Sequence, residues 1–292
     1  VIGMRARVIP EEDLESLEGA EWVDRTKRPF VEGGTAYVPV MEGYPFTTTL
    51  PARTSYSGRG YYMLGSVAVL QGERPSHEEI QSILEWKNPQ GVLWVEGCHG
   101  IERTPRTEVL AGTVPEVFHR ESGITYMLDP TRIMFSMGNR GEKERIRGLV
   151  RPEERVADMY AGIGYFTLPV ARAGARVHAM EINPDAFSYL VRNIRMNNVG
   201  HLATAELGDC RDLLTGTYDR IIMGHFSSMD RLPDALSHAG PGTTLHVHSV
   251  GIAAKTIESV LESLGVRASI TTHKVKKVSA HTWHYVQDVT VE

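Results

Sequence analysis

The chain has 292 residues, 41% hydrophobic and 23% charged, enough for two domains of ordinary size that fold as a soluble globule with sizeable cores. Its net charge of −5 excludes indiscriminate nucleic-acid binding, which needs a positive field, but not RNA held by a local basic patch on an acidic surface. Cys98 and Cys210 form no C-x-x-C pair, the twelve histidines lack H-E-x-x-H spacing, and the longest nearly uncharged run, Tyr61 to Gln71, is about half a bilayer span.

These counts lead to an expectation of a protein of the reducing cytoplasm, with no metal and no membrane segment. No charged, apolar and small-residue pattern opens the chain, so no signal peptide is expected. In chain order, the acidic stretch Glu11 to Asp24 reads as a short surface helix. Residues Thr35 to Asp129 then read as a small α+β domain. Its strands are predicted at 35–40, 65–70, 91–95, 107–111, 116–119 and 125–128. One helix opens on Ser76 as N-cap, with Glu79 in the capping-box position, and ends near Asn88-Pro89.

A helix over 139–150 leads into a regular second part. Strands are predicted at 155–159, 175–180, 202–206, 219–223, 243–248, 267–275 and 283–291. Helices fall near 164–173, 185–197, 210–215, 230–238 and 253–264. Alternation with short loops implies a parallel sheet covered on both faces, and the short link from Lys277 to Thr282 makes the last two strands an antiparallel edge hairpin. The expected division is an N-terminal α+β domain over 1–129 and a Rossmann-like domain over 130–292.

The most informative stretch is Arg155 to Pro169, where an apolar strand runs through Asp158 and Tyr160 into Gly162-Ile163-Gly164 and a helix. Two glycines let a backbone approach a ligand, and a helix start offers free N–H groups. Tyr165 to Thr167 replace the third glycine of the dinucleotide fingerprint, so no pyrophosphate is implied; a bare structural turn is the alternative. Glu181 ends the next strand, where a carboxylate can accept both ribose hydroxyls, and Ile182 follows it. Asp209 is placed for an adenine amino group, with the Cys210 N–H facing the ring; an ordinary helix N-cap is the other reading of Asp209. Tyr160 and Tyr165 either pack on the ligand or fill the core. Together these residues point to S-adenosylmethionine (SAM), with NAD the weaker competitor.

Asp129-Pro130-Thr131-Arg132-Ile133-Met134-Phe135-Ser136-Met137-Gly138-Asn139-Arg140-Gly141-Glu142-Lys143-Glu144-Arg145, the Asp158–Pro169 loop and Glu181-Ile182-Asn183-Pro184 carry a family resemblance. They resemble the archaeal-type tRNA wybutosine-synthesising aminocarboxypropyltransferases, relatives of the tRNA guanine-N1 methyltransferases of position 37, over roughly residues 60 to 225. The seven strands and final hairpin resemble the class I SAM-dependent methyltransferase sheet. The resemblance implies that Ser136 and Lys143 line the SAM pocket with Glu181, Asp209 and Cys210; the reading of the glycine loop adds Asp158, Tyr160, Gly162, Gly164 and Ile182 to the expected cofactor-binding residues. It implies tRNA as partner, read at anticodon-loop position 37 and expected to be tRNA-Phe, with no protein partner evident.

The methyltransferases resembled have an Asn-Leu-Pro or Asn-Pro-Pro-like segment after the fourth strand. Here Ile221-Ile222-Met223-Gly224-His225-Phe226-Ser227-Ser228 contains neither Asn nor Pro, which resembles the aminocarboxypropyl branch. The same branch is implied by an expected absence of the methyltransferases' extra N-terminal domain. The implied reaction moves the 3-amino-3-carboxypropyl group of SAM to a tricyclic demethylwyosine and leaves methylthioadenosine; guanine-N1 methylation is the alternative. His225 is the candidate for a base that takes the ring proton. Arg132, Arg140 and Arg145 are candidates for contacts to RNA phosphates or to the cofactor carboxylate, within a basic run that extends to Arg155; His273 to Lys277 form a second basic spot. His281, Trp283 and His284 either stack on bases or pack in an edge strand.

Overall fold

The computed structural model describes residues 3–51, 56–279 and 281–292, and the chain divides into two compact units, Val1–Ser57 and Gly58–Glu292. In the first unit, β1 (Met4–Pro10), β2 (Phe30–Glu32), β3 (Thr35–Pro39) and β4 (Thr48–Leu50) pair antiparallel in the order β2-β3-β1-β4. Period-two alternation buries Ala6 on β1 and Ala36 and Val38 on β3. The expected helix over Glu11 to Asp24 is a 3-10 stretch, Glu11–Leu17, with no buried residue, so no apolar face holds a longer helix.

In the second unit, β5 (Tyr62–Leu64), β6 (Val67–Gln71), β7 (Gly91–His99) and β8 (Thr104–Gly112) form a sheet in that order. Strands β6 and β7 are parallel, joined through α1 (His77–Lys87). The predicted capping box is present: Glu79 N–H donates to Ser76 Oγ at 3.2 Å and Ser76 N–H to Glu79 Oε2 at 2.8 Å. A hairpin of β9 (Val117–Glu121) and β10 (Ile124–Leu128) follows, then α2 (Arg140–Leu149).

From there β11 (Arg155–Asp158), α3 (Thr167–Arg172), β12 (Arg176–Glu181), α4 (Pro184–Met196), β13 (Ala203–Leu207), α5 (Cys210–Leu213), β14 (Tyr218–Met223), α6 (Leu232–Leu236), β15 (Ala239–Val250), α7 (Ala254–Leu264), β16 (Ala268–Lys277) and β17 (Trp283–Val291) build a seven-stranded sheet. Its order is β13-β12-β11-β14-β15-β17-β16, parallel from β13 to β15 and antiparallel through β17 and β16. This is the expected Rossmann-like α/β sheet with its edge hairpin. Neighbouring residues face opposite ways, so Val156, Ala179 and Ile222 enter one core and Ala157, Met180 and Ile221 the other. Helices α2, α3 and α4 cover the first face; α6 and α7 cover the second.

The expected boundary at 129/130 falls inside the second unit. Leu64, Val69, Leu93, Ile124 and Tyr126 share one continuous core with Ile163, Leu168 and Leu190, so no gap in packing separates β5–β10 from the seven-stranded sheet. The join is also polar. On α4, Asn193 accepts from Met127 N–H at 2.8 Å and donates to Met127 O at 3.2 Å and Ile163 O at 3.0 Å. One turn later Asn197 accepts from Thr125 N–H at 3.0 Å and donates to Thr125 O at 2.8 Å. Two side-chain amides thus satisfy the free edge of β10. Among the described residues, no helix is long and apolar enough to cross a membrane.

Asn193 is fully buried, so Asn193→Ala strands backbone groups that nothing else reaches. The expected cost is about 3 kcal/mol of unfolding free energy in a denaturant titration. A loss below about 1 kcal/mol refutes the clamp.

Candidate active site

The carboxyl ends of β11, β12, β13 and β14 surround a cavity of 810 Å³ at the point where the strand order reverses. The turn between β7 and β8, the segment from Arg132 to Asn139 and the ends of β16 and β17 complete its wall.

The glycine loop has both expected positive-φ glycines, Gly162 at 57° and Gly164 at 100°, with different roles. Gly162 lines the cavity, and a Cβ there would meet the Tyr165 ring at 2.7 Å. Gly164 lies behind the lining, where a Cβ would meet Leu168 at 2.8 Å, so it serves packing. Helix α3 begins only at Thr167, three residues after Gly164, and has six residues. The expected N–H cradle at a helix start is therefore absent from the loop itself. Asp158 is also not at the cavity. It is fully buried beneath the loop, accepts from Thr167 Oγ1 at 2.7 Å, and burial raises its carboxyl to about 6.

Glu181 lines the cavity at the end of β12. Its Oε2 accepts from Gly162 N–H at 2.7 Å and its Oε1 from Asn183 N–H at 2.8 Å, which leaves acceptor capacity on both oxygens. Burial raises its pKa, opposed by those backbone donors. Asn183 caps α4 through Asp185 N–H at 2.8 Å and donates to Glu102 O at 3.1 Å, which ties the β7–β8 turn to the end of β12. Ile182 lines the wall between them.

Asp209 is the N-cap of the four-residue α5, as the second reading had it, and it also lines the cavity. Arg211 donates to both its oxygens, at 2.6 and 3.1 Å, and holds the carboxyl down to about 2. Cys210 is buried, and burial pushes its thiol up to about 11, which removes it as a nucleophile at neutral pH. Tyr160 stacks on His225, with ring centres 5.3 Å apart and 24° between planes. Tyr165 packs edge-on to Phe135 at 5.4 Å and donates its hydroxyl to Met134 O.

Lys143 lines the cavity but is not a free cation. It forms a buried ion pair with Glu121, and its ammonium lies 5.1 Å from the Phe135 ring centre and 5.3 Å from that of Tyr126. Burial lowers its pKa against the pull of Glu121. His225 receives Ser227 N–H on Nδ1 at 3.2 Å and lies 2.6 Å from Ser227 Oγ. The neutral ring therefore carries its proton on Nε2, a donor that is buried without a partner. Burial, then Arg103, lowers its pKa.

The three arginines separate. Arg132 lines the cavity, paired with Asp185. Arg140 is exposed at the start of α2, outside the lining. Arg145 is drawn away altogether: Glu142 and Asp288 take its guanidinium at 2.6–3.0 Å in a network that includes His246. Arg103 in the β7–β8 turn and His248 also line the cavity and carry no signal in the sequence; Lys276, from the second basic spot, joins them, and His248 is paired with His284, its Nδ1 3.0 Å from His284 Nε2. His284 is thus packing rather than a base-stacking surface. Trp283 is covered by Lys274, 3.4 Å from its ring centre, and His281 is exposed.

The profile described as "TRM5/TYW2 methyltransferase domain" matches residues 117–276, more than half of the chain. The chain belongs to the TRM5/TYW2 methyltransferase-domain family. A relative from Methanocaldococcus jannaschii, named tRNA(Phe) (4-demethylwyosine(37)-C(7)) aminocarboxypropyltransferase, is 32% identical over 80% of this chain and 99% of that protein. The crystal structure of TYW2 from Pyrococcus horikoshii in complex with MeSAdo is 30% identical with a TM-score of 0.69, over 80% of this chain and 91% of that one. A Pyrococcus abyssi Trm5b structure is 24% identical with a TM-score of 0.73, over 99% of both chains, and shows the fold alone.

Because that last match spans 99% of the chain, it takes in the β1–β4 unit. This corrects the expectation that no extra N-terminal domain is present. Two of the unit's strands, β2 and β4, have three residues each, too short for a periodic signal.

Two measurements test this TRM5/TYW2-family site. Glu181→Gln keeps one acceptor oxygen but removes the charge; adenosine binding by calorimetry is expected to weaken roughly 10- to 100-fold, and unchanged affinity removes Glu181 from the nucleoside site. Burial lowers His284 to about 4 from 6.5. Between those values the unfolded chain binds more protons, so stability is full above 6.5 and is lost as pH falls towards about 4. His284→Gln is expected to flatten that part of the stability–pH curve, measured by thermal denaturation.

Proposed function

We propose that this chain transfers the 3-amino-3-carboxypropyl group of SAM to carbon 7 of 4-demethylwyosine at position 37 of tRNA, with tRNA-Phe the substrate and the cytoplasm the setting. The carrying observation is the 32% identity to the M. jannaschii aminocarboxypropyltransferase over 99% of that protein's length. The Met223–Ser228 segment at the cavity supports it, since it has neither Asn nor Pro to engage a guanine edge.

The cavity residues fit SAM as group donor. Glu181 faces the ribose; the wall from Asp209 to Cys210 faces the adenine; Gly162 gives the backbone its close approach; Tyr160 and Ile182 pack alongside, with Ser136 and Lys143 at the amino-acid arm. In the reaction a C–C bond forms between the base and the arm's γ-carbon while the C–S bond breaks. The electron pair stays on sulfur, which leaves neutral methylthioadenosine, and the ring proton departs to solvent. Positioning and exclusion of water supply most of the rate. His225, braced by Tyr160 and Ser227, has its Nδ1 taken by Ser227 and its Nε2 buried, so it shapes the cavity wall rather than taking the ring proton. This revises its assignment as a proton acceptor. Arg132 and Arg140 face the RNA backbone; Arg145 is withdrawn from that role by its two carboxylates. The elements before Asp129 help position the RNA.

The deciding experiment is incubation with SAM and tRNA that carries the tricyclic precursor. Methylthioadenosine and an aminocarboxypropylated nucleoside are expected in equal amounts. S-adenosylhomocysteine in their place establishes a methyltransferase instead.

A further inference from the structure

The cations that line the cavity differ in whether their charge is already matched. Arg132 is tied to Asp185 and Lys143 to Glu121. Lys276, on β16, is not, and among the described residues neither are Arg103, Arg231 and Lys277 on the same lining; Lys276 is the one of these held against Ser136. Its Nζ donates to Ser136 Oγ at 2.6 Å, and among the described residues it forms no ion pair with a carboxylate. An ammonium has three donors, so two remain.

Three local features put this lysine in the cavity. The β16–β17 register shifts between Lys274 and Lys276, which makes Val275 an extra residue and breaks the alternation of sides. Lys274 consequently lies over Trp283, whereas Lys276 pairs with His284, the next residue of β17 and on its other face. Opposite, Gly138 supplies the passage: a Cβ there would lie 2.6 Å from Lys276 Cδ and 3.2 Å from Nζ. Ser136, two residues earlier, receives the ammonium. Burial, with Arg103 and Lys143 nearby, lowers the lysine to about 8. A half-buried ammonium among like charges is costly until an anion reaches it.

We propose that Lys276 anchors the carboxylate of SAM's amino-acid arm and so fixes which carbon of the sulfonium faces the RNA base. The proposal rests on the transferase reading above. Lys143, whose charge Glu121 already neutralises, then shapes the pocket rather than holding the carboxylate. A backbone phosphate is the other anion present in the reaction, but the exposed Lys277 and Arg132 on the same rim suit it better than a half-buried ammonium.

The test is calorimetry of SAM, methylthioadenosine and tRNA against wild type, Lys276→Met, Lys276→Arg and Gly138→Ala. Methylthioadenosine has the same adenosine but no carboxylate. Lys276→Met is expected to bind SAM roughly 10- to 100-fold more weakly with methylthioadenosine unchanged, and Lys276→Arg to recover most of that loss. Gly138→Ala, which leaves the charge in place but fills the passage, is expected to show the same selective loss. It decides the matter if Lys276→Met does not fold. An unchanged SAM affinity, an equal loss for SAM and methylthioadenosine, or a loss confined to tRNA overturns the proposal, the last in favour of a phosphate contact. Wild-type turnover with precursor tRNA is run alongside: if no methylthioadenosine forms there, the transferase reading fails, while the SAM-against-methylthioadenosine comparison still decides Lys276.

Discussion

Asn193 holds together the parts on which the site depends. A single buried amide takes Met127 N–H and gives to Met127 O and Ile163 O, so β10, α4 and the glycine loop share one fixed point. The loop is bound again from its other side, where Glu181 accepts Gly162 N–H. The glycine-loop backbone at the cavity is therefore held by two side chains from the neighbouring βα unit. The free edge of β10 is satisfied in the same stroke, which lets a small hairpin pack on a doubly wound sheet without an unpaired strand edge.

The seven-stranded sheet was readable because each of its strands announces itself twice, through apolar runs and through the helices between them. Its elements fall within a few residues of those predicted, including the edge hairpin. The first unit was not readable in the same way: β2 and β4 are too short for periodicity, and the acidic stretch before them has helical composition but no apolar face. The site divides similarly. Glu181 and Gly162 follow from their places in the βαβ order. The fates of Lys143 and Arg145 do not, because each is decided by a carboxylate distant in sequence or by a neighbour the sequence cannot orient: Glu121 on β9 and Asp288 on β17. Lys276 was visible as part of a basic run, but only the register shift at Val275 separates it from its neighbours.

Charge placement is what distinguishes the cavity from a generic nucleoside site. The fold matches a Trm5b structure over 99% of both chains, so the scaffold alone does not select the reaction. Selection has to come from how the two arms of a sulfonium are held. One ammonium, Lys143 on α2, is boxed by three aromatic rings and Glu121, and a second, Lys276 on β16, has donors to spare beside Ser136.

The irregularity at Val275 has a consequence away from chemistry. Strand β16 is one of the two outer strands of the large sheet, and a flat outer strand offers a continuous row of peptide donors and acceptors to any strand from another molecule. A bulge interrupts that row and increases local twist, while Lys274 and Lys277 place charge beside the gap. The same extra residue that turns one lysine inward thus interrupts the edge along which a second copy could add a strand.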